Sequence, residues 1–169
     1  MRALFPGRFQ PFHLGHLNVV RWAFQNFDEV VILVGSSSES HTLYNPFTAG
    51  ERIEMIFNSV KDEVSKVFIV PLMESFENKN WIHEVELIAP RFDVVISGNP
   101  LVVAGSKEYR VIPPPQFNRE KYNSTLIRSL MLKGENWREL VPQQVYEYIK
   151  VIGGEERIRE IARTDKVED

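Results

Sequence analysis

Gly7-Arg8-Phe9-Gln10-Pro11-Phe12-His13-Leu14-Gly15-His16 is the stretch on which the reading of this chain turns. It follows a short apolar run, Ala3-Leu4-Phe5, and leads into Leu17-Asn18-Val19-Val20-Arg21-Trp22-Ala23-Phe24, whose apolar residues recur at helical spacing. The decapeptide therefore reads as the turn between a first β-strand and a first α-helix. Such a turn aims free backbone N–H groups and the positive end of the helix dipole beyond the strand, which suits a phosphate. His13 and His16 lie three residues apart and share one face of the first turn. Gly15 between them lets a bulky anion approach the backbone closely. Two other readings fit the histidines taken alone. They could ligate a metal, although zinc needs a third ligand and usually takes such a pair at i, i+4. They could also be satisfied by local hydrogen bonds. Arg8, two glycines and Pro11 gathered at the same helix mouth make little sense as packing, and they favour a phosphate site.

Outward from this turn, apolar β-rich runs alternate with helical patterns. Residues 29–35 form a continuous hydrophobic run, as expected of a strand buried on both faces. Residues 66–71, 92–98 and 109–112 repeat the signal. A helix opens at Thr48-Ala49-Gly50-Glu51, a capping box, and continues through Ile53, Ile56, Phe57 and Val60. Another covers residues 81–88 and stops before Pro90. After a turn at Pro113-Pro114-Pro115 only helical patterns remain, at 124–133, 142–152 and 155–162, with a polar, frayed tail at 164–169. Strands separated by helices give βαβ units, hence an α/β fold. We expect a Rossmann-like, five-stranded parallel sheet with helices on both faces and a helical C-terminal segment. The chain reads as one domain over 1–169, with an α/β core at 1–115 and a helical part at 116–165.

With 169 residues, 43% of them hydrophobic and 25% charged, the chain has ordinary soluble globular content. A net charge of −3 argues against a nucleic-acid-binding face, so positive groups matter locally, at a site. With no cysteine, thiol nucleophiles and thiolate zinc sites are excluded. Pro6 and Arg8 interrupt the N-terminal apolar run, and no stretch approaches the roughly 20 apolar residues that span a bilayer. The expected location is the cytoplasm, with no membrane partner.

Ligands of parallel sheets bind beyond the carboxyl ends of the strands, near the point where strand order reverses. Three further segments should converge there. Gly35-Ser36-Ser37-Ser38 is small and polar. Ser97-Gly98-Asn99-Pro100 is a turn whose simplest reading is chain reversal. Beyond the last strand come Arg119 and then Tyr122-Asn123-Ser124-Thr125, where Asn123 or Ser124 caps a helix that carries Arg128 one turn in.

These motifs resemble the nucleotidyltransferases of the His-x-Gly-His type, and more closely the archaeal-type nicotinamide-nucleotide adenylyltransferases. The resemblance runs from Gly7–His16 through Ser40-His41-Thr42, Asn45-Pro46-Phe47-Thr48, Gly50-Glu51-Arg52 and Ser97–Pro100 to Thr125–Arg128. It implies that ATP and nicotinamide mononucleotide (NMN) give NAD and pyrophosphate, with Mg²⁺ carried mainly on the ATP phosphates and no metal centre in the protein. It further implies that His13, His16, Arg8 and Arg128 form the catalytic set. By the same resemblance Gly7, Phe9, Gly15, Ser97, Gly98, Asn99, Arg119, Ser124 and Thr125 bind ATP, while Ser36, Ser37, Asn78 and Trp81 bind NMN. Trp81 would stack on the nicotinamide ring; by its residue pattern alone it reads as a core tryptophan of an amphipathic helix. Relatives suggest a homo-oligomer, a hexamer. Two positions depart from the family pattern: Asn123 replaces a serine of the second signature, and Tyr44 stands where relatives often carry a basic residue. Transfer to another phosphate substrate, such as pantetheine phosphate, and a catalytically silent nucleotide-binding regulator are the alternative functions. His41 and His83 carry no comparable case.

Overall fold

The computed structural model describes the backbone of residues 1–168 and the side chains of residues 1–165. Five parallel strands, β1 (Arg2–Gly7), β2 (Glu29–Val34), β3 (Val67–Pro71), β4 (Val94–Ile96) and β5 (Arg110–Ile112), form one sheet in the order β3-β2-β1-β4-β5. The order reverses at β1, so the turn that follows this strand sits at the switch point. Successive residues of each strand point to opposite faces, and both faces are apolar. Ala3, Phe5, Val30, Ile32, Val34, Val94 and Ile96 enter one buried cluster, while Leu4, Val31, Leu33 and Val95 enter the other. That is why residues 29–35 show no polar alternation.

The first cluster is covered by α1 (Leu14–Asn26), α2 (Ala49–Ser59), α5 (Ser124–Lys133), α6 (Gln143–Val151) and α7 (Gly154–Glu168), the second by α3 (Trp81–Ile88) and α4 (Pro100–Gly105). The capping box of α2 forms as its sequence predicts: Glu51 N–H donates to Thr48 Oγ1 at 3.1 Å, and Thr48 N–H to Glu51 Oε1 at 2.8 Å. Its buried face differs from the expected one. Arg52, Met55 and Ile56 point inward, while Phe57 is exposed.

Two further differences concern elements. The turn at 97–100 opens into α4, with Asn99 Oδ1 accepting from Leu101 N–H and Pro100 in the first turn, both helix-start signals. The polar tail is helical as far as Glu168, with Asp169 outside the described residues. It continues α7, whose preceding turns carry i, i+3 and i, i+4 pairs such as Arg163 with Glu160. Among the described residues no helix is long and apolar enough to cross a membrane.

Candidate active site

At the end of β1 the chain turns through Arg8 and Phe9, and His13 becomes the N-cap of α1. The two histidines cap that helix reciprocally. His16 N–H donates to His13 Nδ1 at 3.3 Å, and His13 N–H donates to His16 Nδ1 at 3.1 Å. A backbone N–H can only donate, so each Nδ1 is an acceptor and each neutral ring carries its proton on Nε2. The local-hydrogen-bond reading and the phosphate reading thus coexist: the inner nitrogens satisfy the helix start and the outer Nε2–H groups stay free. The rings stack with centroids 3.5 Å apart, and His16 also stacks on Phe12 at 5.5 Å.

Burial drives the His13 pKa down to about 3. His16 is held well below its ordinary value by burial and then by His13. Both imidazoles are therefore neutral donors in the free protein. The unfolded chain takes up these protons near pH 6.5, whereas the folded chain refuses them until far lower pH. Stability present above about pH 6.5 is accordingly lost as pH falls through that window. Between about pH 7.5 and about pH 5, above the carboxylate range, the urea midpoint of the free protein is expected to drop. A His13→Asn/His16→Asn double variant is expected to show less than half that drop. Equal drops would mean that the imidazoles protonate freely in the folded state.

His13, Gly15 and His16 line a cavity of about 510 Å³ together with Gly7, Arg8, Ser97, Gly98, Asn99, Arg119, Ser124 and Thr125. Eleven residues expected at the triphosphate end or the adenosine pocket thus meet at one place, contributed by the ends of β1, β4 and β5 and by the starts of α1 and α5. No carboxylate lines the cavity. A side chain at Gly15 would strike the His13 ring at 2.9 Å and Tyr122 Cβ at 3.0 Å, which accounts for the glycine. The second helix mouth is capped by Asn123, whose Oδ1 accepts from Leu126 N–H at 2.7 Å, and Ser124 Oγ donates to the Pro11 carbonyl at 3.1 Å. The two helix starts are thereby joined. Asn123 does the capping that the family pattern gives to serine.

Arg128 lies just behind this wall, buried, donating to the Gln10 carbonyl at 2.8 Å, with its pKa lowered to about 10 by burial and then by Arg8. Arg52 is the residue the sequence left unread as an individual. Fully buried, it donates to the carbonyls of Arg8 (2.8 Å), Gly35 (2.8 Å), Ser36 (3.1 Å) and Thr48 (3.2 Å). Arg8 and Gly35 each precede a left-handed residue, Phe9 at φ 55° and Ser36 at φ 51°. One guanidinium therefore pins the two strained corners where β1 and β2 leave the sheet. Its charge among Met55 and Ile56 on a buried helix face was the available signal. Among the described residues, Arg8, Arg52 and Arg128 have no ion-paired carboxylate.

Four residues of the expected set lie away from the cavity in this structure. Phe9, expected among the ATP ligands, turns its ring into the core against Phe5 and His16, because its left-handed backbone points it inward; it supports His16 from below. Ser36 is buried, and its backbone is spent on Arg52 and Glu74. Trp81 lies in the second core cluster, 0% exposed, edge-on to Phe76 at 5.2 Å and pressed against Gly105, with its indole N–H unpaired. Both faces of the indole are covered by its neighbours in this structure. Asn78 is exposed and donates to Glu74 at 2.8 Å. Neither these nor Ser37 lines the cavity. Trp81→Phe is expected to cost about 1 kcal/mol of stability, a volume loss partly offset by removing an unpaired buried donor. Thermal melting and the KM for NMN decide the matter. An unchanged melting temperature with a raised KM would return the indole to the ligand.

The cytidylyltransferase-like family matches residues 4–130. Nicotinamide-nucleotide adenylyltransferases of Saccharolobus solfataricus and Sulfurisphaera tokodaii are 57% and 56% identical to this chain, over 98% of its length and 99% of theirs. The chain belongs to the nicotinamide-nucleotide adenylyltransferase family. The fold agrees with that membership. A bifunctional NMN adenylyltransferase/ADP ribose pyrophosphatase of Francisella tularensis, complexed with AMP and a Mn ion, matches 98% of this chain with a TM-score of 0.81 at 21% identity. The present chain spans 53% of that longer one. Among the described residues the lining of the cavity carries Arg8 and Arg119 and no acid.

Proposed function

We propose that this chain transfers the adenylyl group of ATP to the 5′-phosphate of NMN, forming NAD and releasing pyrophosphate. The observation that carries the reading is the His13–His16 pair, whose outer N–H groups face a carboxylate-free cavity that a second helix mouth also lines. End-to-end similarity to nicotinamide-nucleotide adenylyltransferases supports it. In the reaction an NMN phosphate oxygen attacks the α-phosphorus of ATP in line, and the bond to the β-phosphate oxygen breaks. A phosphate monoester is already anionic near neutral pH, so no general base is needed. The task left to the protein is to hold two polyanions together, and positioning of this kind supplies roughly 7–11 kcal/mol in favourable cases.

We assign His16 to the reacting α-phosphate and His13 to the neighbouring phosphates. Arg8, Arg119 and Arg128 serve as cationic clamps, and Ser124 and Thr125 present the second helix mouth to the distal phosphates. Ser97, Gly98 and Asn99 take the adenosine. NMN enters from the side of Ser37 and Asn78. The residues do not form a cage for a resident metal: the imidazole Nδ1 atoms are occupied, and no carboxylate lines the cavity. Mg²⁺ accordingly enters as part of the ATP complex, where it offsets phosphate charge. The acting unit is the whole chain as one cytoplasmic domain in a homo-oligomer, a hexamer by resemblance.

The test is incubation of the purified protein with ATP, Mg²⁺ and NMN, followed by detection of NAD and pyrophosphate. Pantetheine phosphate and deamidated NMN serve as competing acceptors. Turnover with pantetheine phosphate alone, or nucleotide binding without turnover, overturns the reading.

A further inference from the structure

Among the described residues Arg8 and Arg128 have no carboxylate partner, yet neither guanidinium is loose. The Tyr44 ring lies beneath both, 3.7 Å from Arg8 Cζ and 5.6 Å from Arg128 Cζ, centroid to carbon. Asn45 Oδ1 accepts from Arg8 at 3.2 Å, and the same amide donates to Glu39 at 2.9 Å, so a neutral group stands between the cation and that acid. Tyr44 itself is 59% exposed and belongs to neither core cluster, so packing does not account for its place. The two guanidiniums are close enough to feel each other, since Arg8 contributes to the depression of the Arg128 pKa.

We propose that Tyr44 is a positioning residue whose ring gathers the Arg8 and Arg128 guanidiniums side by side without neutralising them, leaving the N–H groups not spent on Asn45, Thr125 and the Gln10 carbonyl for phosphate oxygens. The quadrupole of an aromatic face attracts cations but offers no acceptor lone pair to occupy their N–H groups. A carboxylate at this position would satisfy the forks and compete with the nucleotide. A basic residue would add repulsion, and an aliphatic one would let the two cations drift apart. The inference rests on the nucleotide-binding reading above.

Three proteins separate the possibilities: the unaltered chain, Tyr44→Phe and Tyr44→Leu. Each is assayed for NAD formation and, by calorimetry, for binding of inorganic tripolyphosphate, a probe that needs no turnover. With Tyr44→Leu the KM for the phosphate-bearing substrate and the tripolyphosphate Kd are expected to rise about tenfold, the loss of two partly exposed cation–π contacts. The effect falls on KM rather than kcat, deepens with added salt, and leaves the melting temperature in place. Tyr44→Phe, which keeps the ring, restores both constants. Wild-type constants in Tyr44→Leu overturn the proposal, as does damage in Tyr44→Phe equal to that in Tyr44→Leu, which would assign the role to the hydroxyl. If the unaltered chain makes no NAD, the reaction assignment fails, and the tripolyphosphate series still decides the role of Tyr44.

Discussion

His16→Ala is expected to lower kcat about 100-fold or more while the KM for ATP moves by no more than about threefold, because one well-placed donor to a developing charge contributes about 3–4 kcal/mol. The expectation follows from the tautomer. With Nδ1 committed to the His13 N–H, the ring has one N–H left to give, and it gives it as a neutral donor. Its aim is set by rings on which it stacks, Phe12 and His13, and by Phe9 edge-on at 4.8 Å. Losing the second half of the capping box costs stability as well, about 1 kcal/mol. Melting curves recorded beside the kinetics separate that loss from the catalytic one. A kcat within about threefold of wild type in a folded variant would remove His16 from the reacting phosphate.

Arg52→Met is expected to lower unfolding free energy by about 4 kcal/mol, the largest stability effect of any single change discussed. The Ser36 and Thr48 carbonyls keep the Glu39 and Arg52 backbone N–H groups, but those of Arg8 and Gly35 lose their donor, and each buried acceptor left alone costs roughly 1–3 kcal/mol. The corners at Phe9 and Ser36 each hold a left-handed backbone that costs on the order of 1–3 kcal/mol and persists only while its surroundings over-determine it. Methionine fills the space of the stem but supplies none of the donors. Urea unfolding gives the number, with an unchanged m-value required for the comparison. A loss below about 1 kcal/mol would mean that the carbonyls find other partners, and that the guanidinium is a passenger.

What could be read from the sequence was what local chemistry writes there. The strand after Asp28 is legible because a both-faces-buried strand is continuously apolar, and α2 is legible because Thr48 and Glu51 cap it within four residues of each other. The histidines and capping residues of the cavity are legible for the same reason, since they act within a few positions of themselves. The rest depends on partners far away in the chain. Arg52 binds carbonyls 16, 17 and 44 residues distant, which no periodicity encodes. The packing of Trp81 depends on Gly105 and Phe76, which its own helical pattern does not name. Tyr44 is a departure from a family pattern when read as a letter, and its meaning emerged only beside the two arginines that share its ring.

The tie that Arg52 makes between the exits of β1 and β2 has a mechanical consequence. The corners where the two strands leave the sheet are bolted to one another, so they cannot hinge apart there. Any adjustment on loading must occur in the exposed rim, in the residues around Tyr44 on one bank and around Arg119 on the other. Slow amide exchange at Gly35 and Ser36 that is indifferent to nucleotide, set against exchange at the rim that slows on binding, is the signature of such a rigid base with yielding edges.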